Sequence, residues 1–213
     1  VLYLHGGAYC VGSPATHRAL TSRLARVTGL PVFSADYRLA PEHPFPAALD
    51  DAVAAYRALR ADGPVILIGD SAGGGLALAT ALALRDAGDP APAALALFSP
   101  WVDLAQPSPP PPAPPGEAML SWDWTGACAR HYVGPDVPEA PFAQPLLSPL
   151  RADLHGLPPV LIQAGTDELL HPQALALHEA LQAAGVDVRC EITARRWHVF
   201  QLHANALPSA NAA

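Results

Sequence analysis

Two hydrophobic periods alternate along the chain. Short apolar runs at 1–4 (VLYL), 31–37, 65–69, 94–99, 159–164 and 186–192 are rich in Val, Ile, Leu and Phe and read as strands. Between them lie stretches with the 3.6-residue period of helices. Residues 15–29 place Leu20, Leu24 and Val27 on one face, residues 47–61 place Leu49, Val53, Tyr56 and Leu59, and residues 172–184 place Leu175, Leu177 and Leu181. Residues 72–86 (AGGGLALATALALRD) have small residues followed by leucines, the texture of a buried helix. Gly29 and Gly185 are the expected helix stops. Strand and helix alternating in this way predict a parallel sheet covered by helices on both faces, with ligands at the carboxyl ends of the strands.

Residues 100–147 break the rhythm. Pro107 to Pro115 is proline-rich and polyproline-II in character, and Ser121 to Tyr132 reads as a short helix carrying Trp122 and Trp124. The alternation resumes afterwards. The segment therefore reads as an insertion over the strand ends, half of a lid within a single domain spanning 1–213.

Composition narrows the function classes. The chain has 213 residues, 51% of them hydrophobic, enough for one good-sized core. Its net charge is −7, and all 12 basic residues are arginines. That balance, without a basic patch, excludes a nucleic-acid partner. No run reaches the length of a membrane span and no signal-peptide pattern is present. Cys10, Cys128 and Cys190 are too widely spaced for a metal site or a disulfide framework, which reads as reduced thiols and a cytoplasmic home. Val1 already sits inside a strand with nothing before it to pair with, so the chain reads as a fragment lacking N-terminal material.

The chemistry gathers where strands end. Gly69-Asp70-Ser71-Ala72-Gly73 joins a strand to a helix, and glycines two residues either side of a serine suit a sharp turn that lifts Ser71 Oγ clear of the sheet. A glycine-rich turn with a solvated serine would leave the same five residues. His5-Gly6-Gly7-Ala8 follows the first strand, and its N–H groups can turn outward together as an oxyanion hole, with the first N–H of the helix after Ser71 beside them. His5 reads as a histidine that braces this loop. Asp167 and Glu168 follow the strand at 159–164, and His198 follows the last strand. Serine, acid and histidine in that chain order, each after a different strand, is the arrangement of a nucleophile, a base and a carboxylate that orients the base. His203 is the alternative base; His17, His43, His131, His155, His171 and His178 read as solvated or loop histidines.

With those residues in view, the chain resembles the hormone-sensitive-lipase-like esterases, the GDXG or fold-3 group of α/β-hydrolases. The resemblance runs over nearly the whole chain and rests on H-G-G at 5–7, D-Y-R-L-A-P-E-H-P-F-P-A-A at 36–48, G-D-S-A-G-G at 69–74, S-P-W-V-D-L at 99–104, S-P-L at 148–150 and W-H-V-F at 197–200. It implies an α/β-hydrolase fold and hydrolysis of small-molecule carboxylic esters through an acyl-enzyme, on short acyl chains and without a metal or organic cofactor. Ser71 would be the nucleophile, His198 the base, and the N–H groups of Gly6, Gly7 and Ala72 the oxyanion hole. Either Asp167 or Glu168 fits the acid. Counting back without a gap from Gly185 and His198 favours Glu168. Two departures stand out: Ala8 replaces the usual third glycine, and the N-terminal lid helices and first strands are missing. A homodimer is compatible with the resemblance. The rival readings are a catalytically impaired fragment and a ligand-binding protein on the same fold, which would be expected to have lost the histidine.

Overall fold

The structure, a computed structural model, describes residues 1–134, 141–204 and 206–213. Six strands form one parallel sheet: β1 (Leu2–Leu4), β2 (Phe33–Ser34), β3 (Ile66–Asp70), β4 (Ala94–Phe98), β5 (Val160–Gly165) and β6 (Val188–Thr193), in the spatial order β2-β1-β3-β4-β5-β6. Helices α1 (Arg18–Thr28), α2 (Ala47–Arg60), α3 (Ala72–Asp86), α4 (Trp122–Val133), α5 (His171–Ala183) and α6 (Pro208–Ala212) complete it. Registers align the carboxyl ends: Leu4 lies beside Gly69, Asp70 beside Phe98, and Gly165 beside Thr193.

Side chains alternate across the sheet, as the pleat requires. Leu2, Leu4, Leu67, Leu95 and Leu97 face the large core formed with α2, α3, α4 and α5. Tyr3, Ile68 and Phe98 face a smaller cluster closed by Leu20 and Leu24 of α1 and by Leu202. The centre of the large core is α3, where Leu76, Leu78, Leu82 and Leu84 are all buried to within 1% exposure. Each such leucine contributes about 1.5–3 kcal/mol relative to exposure, so this helix is fixed by burial and not by an amphipathic stripe.

The predicted elements all form, with three corrections. The expected strand at 31–37 shrinks to Phe33–Ser34, because β2 is an edge strand with Phe33 51% exposed. Val27 and Leu175, assigned to buried helix faces, are exposed instead; the core has closed over Leu20 on α1 and over Ala174, Leu177 and Leu181 on α5. The insertion at 100–147 is partly outside the described residues, since 135–140 are not described. Its helix α4 docks on the core through buried Cys128, Ala129 and Tyr132, and Tyr132 stacks on Tyr9 with ring centroids 3.7 Å apart. The proline-rich strap before α4 runs exposed over residues 108–113. Among the described residues, no helix is long and apolar enough to cross a membrane.

Candidate active site

β3 enters α3 through a turn that only its glycines permit. Ser71 has φ 53° and ψ −122°, a strained conformation for a residue with a Cβ. A Cβ on Gly69 would lie 2.2 Å from Gly73 O, and one on Gly73 would lie 2.0 Å from Leu4 O. Strand and helix thus approach closer than any side chain allows. The strain is held by backbone bonds on both sides: Ser71 N–H donates to Phe98 O (2.8 Å), and Ser71 O accepts from Trp101 N–H (2.9 Å) and Gly74 N–H (3.0 Å).

The loop after β6 carries a buried histidine. His198 is 2% exposed, and its Nδ1 lies 3.0 Å from Glu168 Oε2, with Glu168 fully buried. The other ring nitrogen, Nε2, is buried and unpartnered. A ring held by a carboxylate at one nitrogen and free at the other is poised to take a proton at the free one. Glu168 is itself steadied by Gly165 N–H, which donates to its Oε1 at 3.3 Å. Asp167, the other acid the sequence left open, is directed elsewhere. Its carboxylate accepts from Thr166 Oγ1 (2.7 Å) and its N–H donates to Arg196 O (2.9 Å), so it shapes the turn and makes no contact with His198. His203 lies edge-on to Trp197.

The loop after β1 departs from expectation at Gly6. Its N–H donates to Asp70 Oδ1 at 2.9 Å and is therefore not available to an oxyanion. A Cβ at Gly6 would lie 2.2 Å from Asp70 Oδ2, so glycine is needed for this approach. The turn continues through Gly7 (φ 122°), Ala8 (φ 51°) and Tyr9 (φ 63°), and the backbone donors that follow Gly6 are those of Gly7 and Ala8. His5 braces the loop as expected: it is fully buried, its Nδ1 donates to Gly6 O at 2.8 Å, and its ring stacks on Tyr37 at 4.3 Å. Burial lowers the His5 pKa, against the opposing hydrogen bond to Gly6 O.

Sequence reasoning missed the importance of Asp70 and His17. Asp70 is 1% exposed, and besides Gly6 it accepts from Tyr3 Oη at 2.6 Å and pairs with His17 Nε2 at 3.3 Å. His17, read from sequence as a solvated or loop histidine, is 6% exposed. Burial acts to lower its pKa, but the hydrogen bond and charge of Asp70 outweigh this and raise it. Asp70 stands in the motif next to Ser71, but no local pattern links it to residues 17 and 6.

Ser71, His198, Gly6, Gly7 and Ala8 line a cavity of about 300 Å³, walled by Met119, Leu120, Trp124 and Leu202. A larger hollow of about 530 Å³ lies between the strap and the acid turn. It touches Glu168 but neither Ser71 nor His198, and only the smaller of the two cavities is lined by both of those residues.

A parallel sheet with a serine on a strained strand-to-helix turn, and a carboxylate-bound histidine from a later strand, defines an α/β-hydrolase. A family model described as alpha/beta hydrolase fold matches residues 1–202. The chain belongs to that family, in its hormone-sensitive-lipase-like branch. It is 45% identical over 214 residues to an acetyl-hydrolase of Streptomyces hygroscopicus, covering 98% of this chain and 70% of that protein. It is 37% identical over 218 residues to an esterase of Acinetobacter venetianus, covering 100% of this chain and 71% of that protein. Among solved structures it is similar to an esterase from the bacterial hormone-sensitive lipase family, with a TM-score of 0.89 and 43% identity, covering 99% of this chain and 71% of the other.

Proposed function

We propose that this protein is a carboxylic-ester hydrolase in which Ser71, His198 and Glu168 form the catalytic triad. The observation that carries the reading is His198, bound to Glu168 through Nδ1 while its unpartnered Nε2 is buried at the cavity that Ser71 lines. The esterase and acetyl-hydrolase names of its relatives support the same chemistry.

In the first half-reaction His198 Nε2 takes the Ser71 proton as Oγ attacks the ester carbonyl. Negative charge develops on the carbonyl oxygen, which accepts hydrogen bonds from backbone N–H groups of Gly7, Ala8 and Ala72; Ala72 is the first residue of α3 and its N–H has no partner within the helix. Glu168 stabilises the imidazolium. The alcohol leaves with the proton from Nε2, giving the acyl-enzyme. Water, deprotonated by the same nitrogen, attacks the acyl carbon, and Ser71 recovers its proton as the acid leaves. The cavity of about 300 Å³ suits a short acyl chain. All groups named belong to one chain, so a homodimer is not required for the reaction.

The test is turnover of p-nitrophenyl esters of increasing acyl length by wild type and Ser71→Ala. Wild type is expected to prefer short acyl chains, and the variant to lose on the order of 10⁶ in kcat. Turnover that survives in Ser71→Ala removes Ser71 as the nucleophile.

A further inference from the structure

Between the proline-rich strap and α4, one carboxylate ties together two parts of the site that are far apart in sequence. Glu117 Oε2 accepts the N–H of Leu169, the residue after Glu168, at 2.8 Å. Its Oε1 accepts the N–H groups of Met119 (2.8 Å) and Leu120 (2.9 Å), and those two residues wall the cavity that holds Ser71 and His198. A second contact lies beside it: Gly116 presses on the acid turn so closely that a Cβ there would lie 2.4 Å from Asp167 Oδ2. Glu117 is only partly buried and does not itself line the cavity that holds Ser71 and His198.

We propose that Glu117 is a positioning residue for the triad acid, fastening the turn that carries Glu168 to the segment that walls the substrate cavity; the inference rests on the triad reading above. A carboxylate receiving three backbone N–H groups is a strong, geometrically fixed tie. The Leu169 N–H is one peptide unit from Glu168, so its position bears directly on where the Glu168 carboxylate meets His198 Nδ1. Without the tie, the acid turn is free to relax toward the hollow of about 530 Å³ behind it, which both Glu168 and Leu169 line. Glu168 would then hold the imidazole less firmly and stabilise its cation less.

This predicts a signature that a purely structural role does not give. If Glu117 acts through Glu168, its removal costs little once Glu168 is itself disabled, so the two losses in kcat do not add. The experiment measures kcat and KM for wild type, Glu117→Ala, Glu117→Gln and Gly116→Ala, and for the two Glu117 substitutions combined with Glu168→Gln, with melting temperatures alongside. Glu117→Gln keeps the shape but sets an amide NH₂ against one of the N–H groups. Gly116→Ala leaves the carboxylate in place and pushes the acid turn away. All three single variants are expected to lose between about 10- and 100-fold in kcat, and the Glu117 substitutions to cost less than about threefold more in the Glu168→Gln background. If Glu117→Ala fails to fold, the other two carry the comparison. A fall in melting temperature with kcat unchanged overturns the proposal, and so does a loss in the Glu168→Gln background as large as that in wild type. Ser71→Ala is run in parallel. If it is inactive while the Glu117 variants keep the wild-type kcat, the positioning role fails and the triad stands. If it retains turnover, both fail together.

Discussion

The two sides of His198 differ in how their functional groups are fixed. On the Ser71 side, position is set mainly by exclusion: glycines at 69 and 73 let backbones meet at distances a Cβ would forbid, Gly6 leaves room for the Asp70 carboxylate, and Ala8, Tyr9 and Ser71 hold positive φ values. The acid side has a close approach of its own, since a Cβ on Gly165 would lie 2.0 Å from Arg196 O, but its carboxylates are placed by attraction. Glu168 is held by Gly165 N–H and His198, Asp167 by Thr166 and Arg196, and the whole turn by Glu117 reaching across from the strap. Steric fixation fails all at once when a methyl group is added. Polar fixation fails by degrees, one donor or acceptor at a time.

The comparison can be broken most severely at Gly73. Gly73→Ala sets a methyl carbon 2.0 Å from Leu4 O, at the junction of β1 and α3. The expected result is loss of folded protein, or destabilisation of more than about 4 kcal/mol, read by chemical denaturation. A soluble variant with the wild-type midpoint would show that the turn is not sterically locked.

The acid side comes next. Glu168→Gln keeps the volume but removes the charge that faces the imidazolium, and a loss of about 10³- to 10⁴-fold in kcat is expected. Asp167→Asn is expected to lose less than about 10-fold, since Asp167 shapes the turn without touching His198. Reversed magnitudes would transfer the acid role to Asp167.

Asp70 joins the two styles, because its carboxylate approaches Gly6 only where a side chain is missing and then holds it by a hydrogen bond. Asp70→Asn can still accept one hydrogen bond but loses its charge toward His17. A fall of about 10- to 100-fold in kcat with KM little changed is the expected sign of a displaced oxyanion loop. A change confined to KM would place the loop in ground-state binding instead.

The smallest effect is the pH dependence of stability from His17, whose neighbours with titratable groups are Asp70, His5 and Tyr3. Its folded pKa is raised above the ordinary 6.5, chiefly by Asp70 acting against burial. A raised pKa means that the folded state binds the proton more tightly. The stabilisation is therefore complete below about pH 6.5 and is lost as pH rises through the higher folded value. Melting temperature should fall over that range in wild type and fall less in His17→Gln. Equal slopes in the two proteins would remove His17 as the source.

The same division explains which features are legible in the sequence. Steric fixation leaves its mark in short motifs, because the residues that must be glycine lie next to the residues they serve. H-G-G and G-D-S-A-G could thus be read directly. Polar fixation joins residues far apart in the chain. Asp70 meets His17 across 53 residues and Glu117 meets Leu169 across 52, and no local pattern announces either. Spacing back from Gly185 and His198 favours Glu168 over adjacent Asp167, but it is the path of the turn that sets the Glu168 carboxylate against the histidine. Gly6 failed as an oxyanion donor for the same reason: its N–H had a competing acceptor whose approach is visible only in three dimensions.

Helix α3 begins at Ala72, directly behind Ser71, and is buried along most of its length. Its peptide dipoles place roughly half a positive charge at that end. Mobile ions cannot approach a helix that solvent does not reach, so this part of the field at the reacting oxygen is not screened. Turnover of an uncharged ester should therefore be nearly indifferent to ionic strength, whereas an anionic ester approaching a chain of net charge −7 should gain from added salt. The interior sets the rate of the chemistry and the surface sets the rate of arrival, and salt tells the two apart.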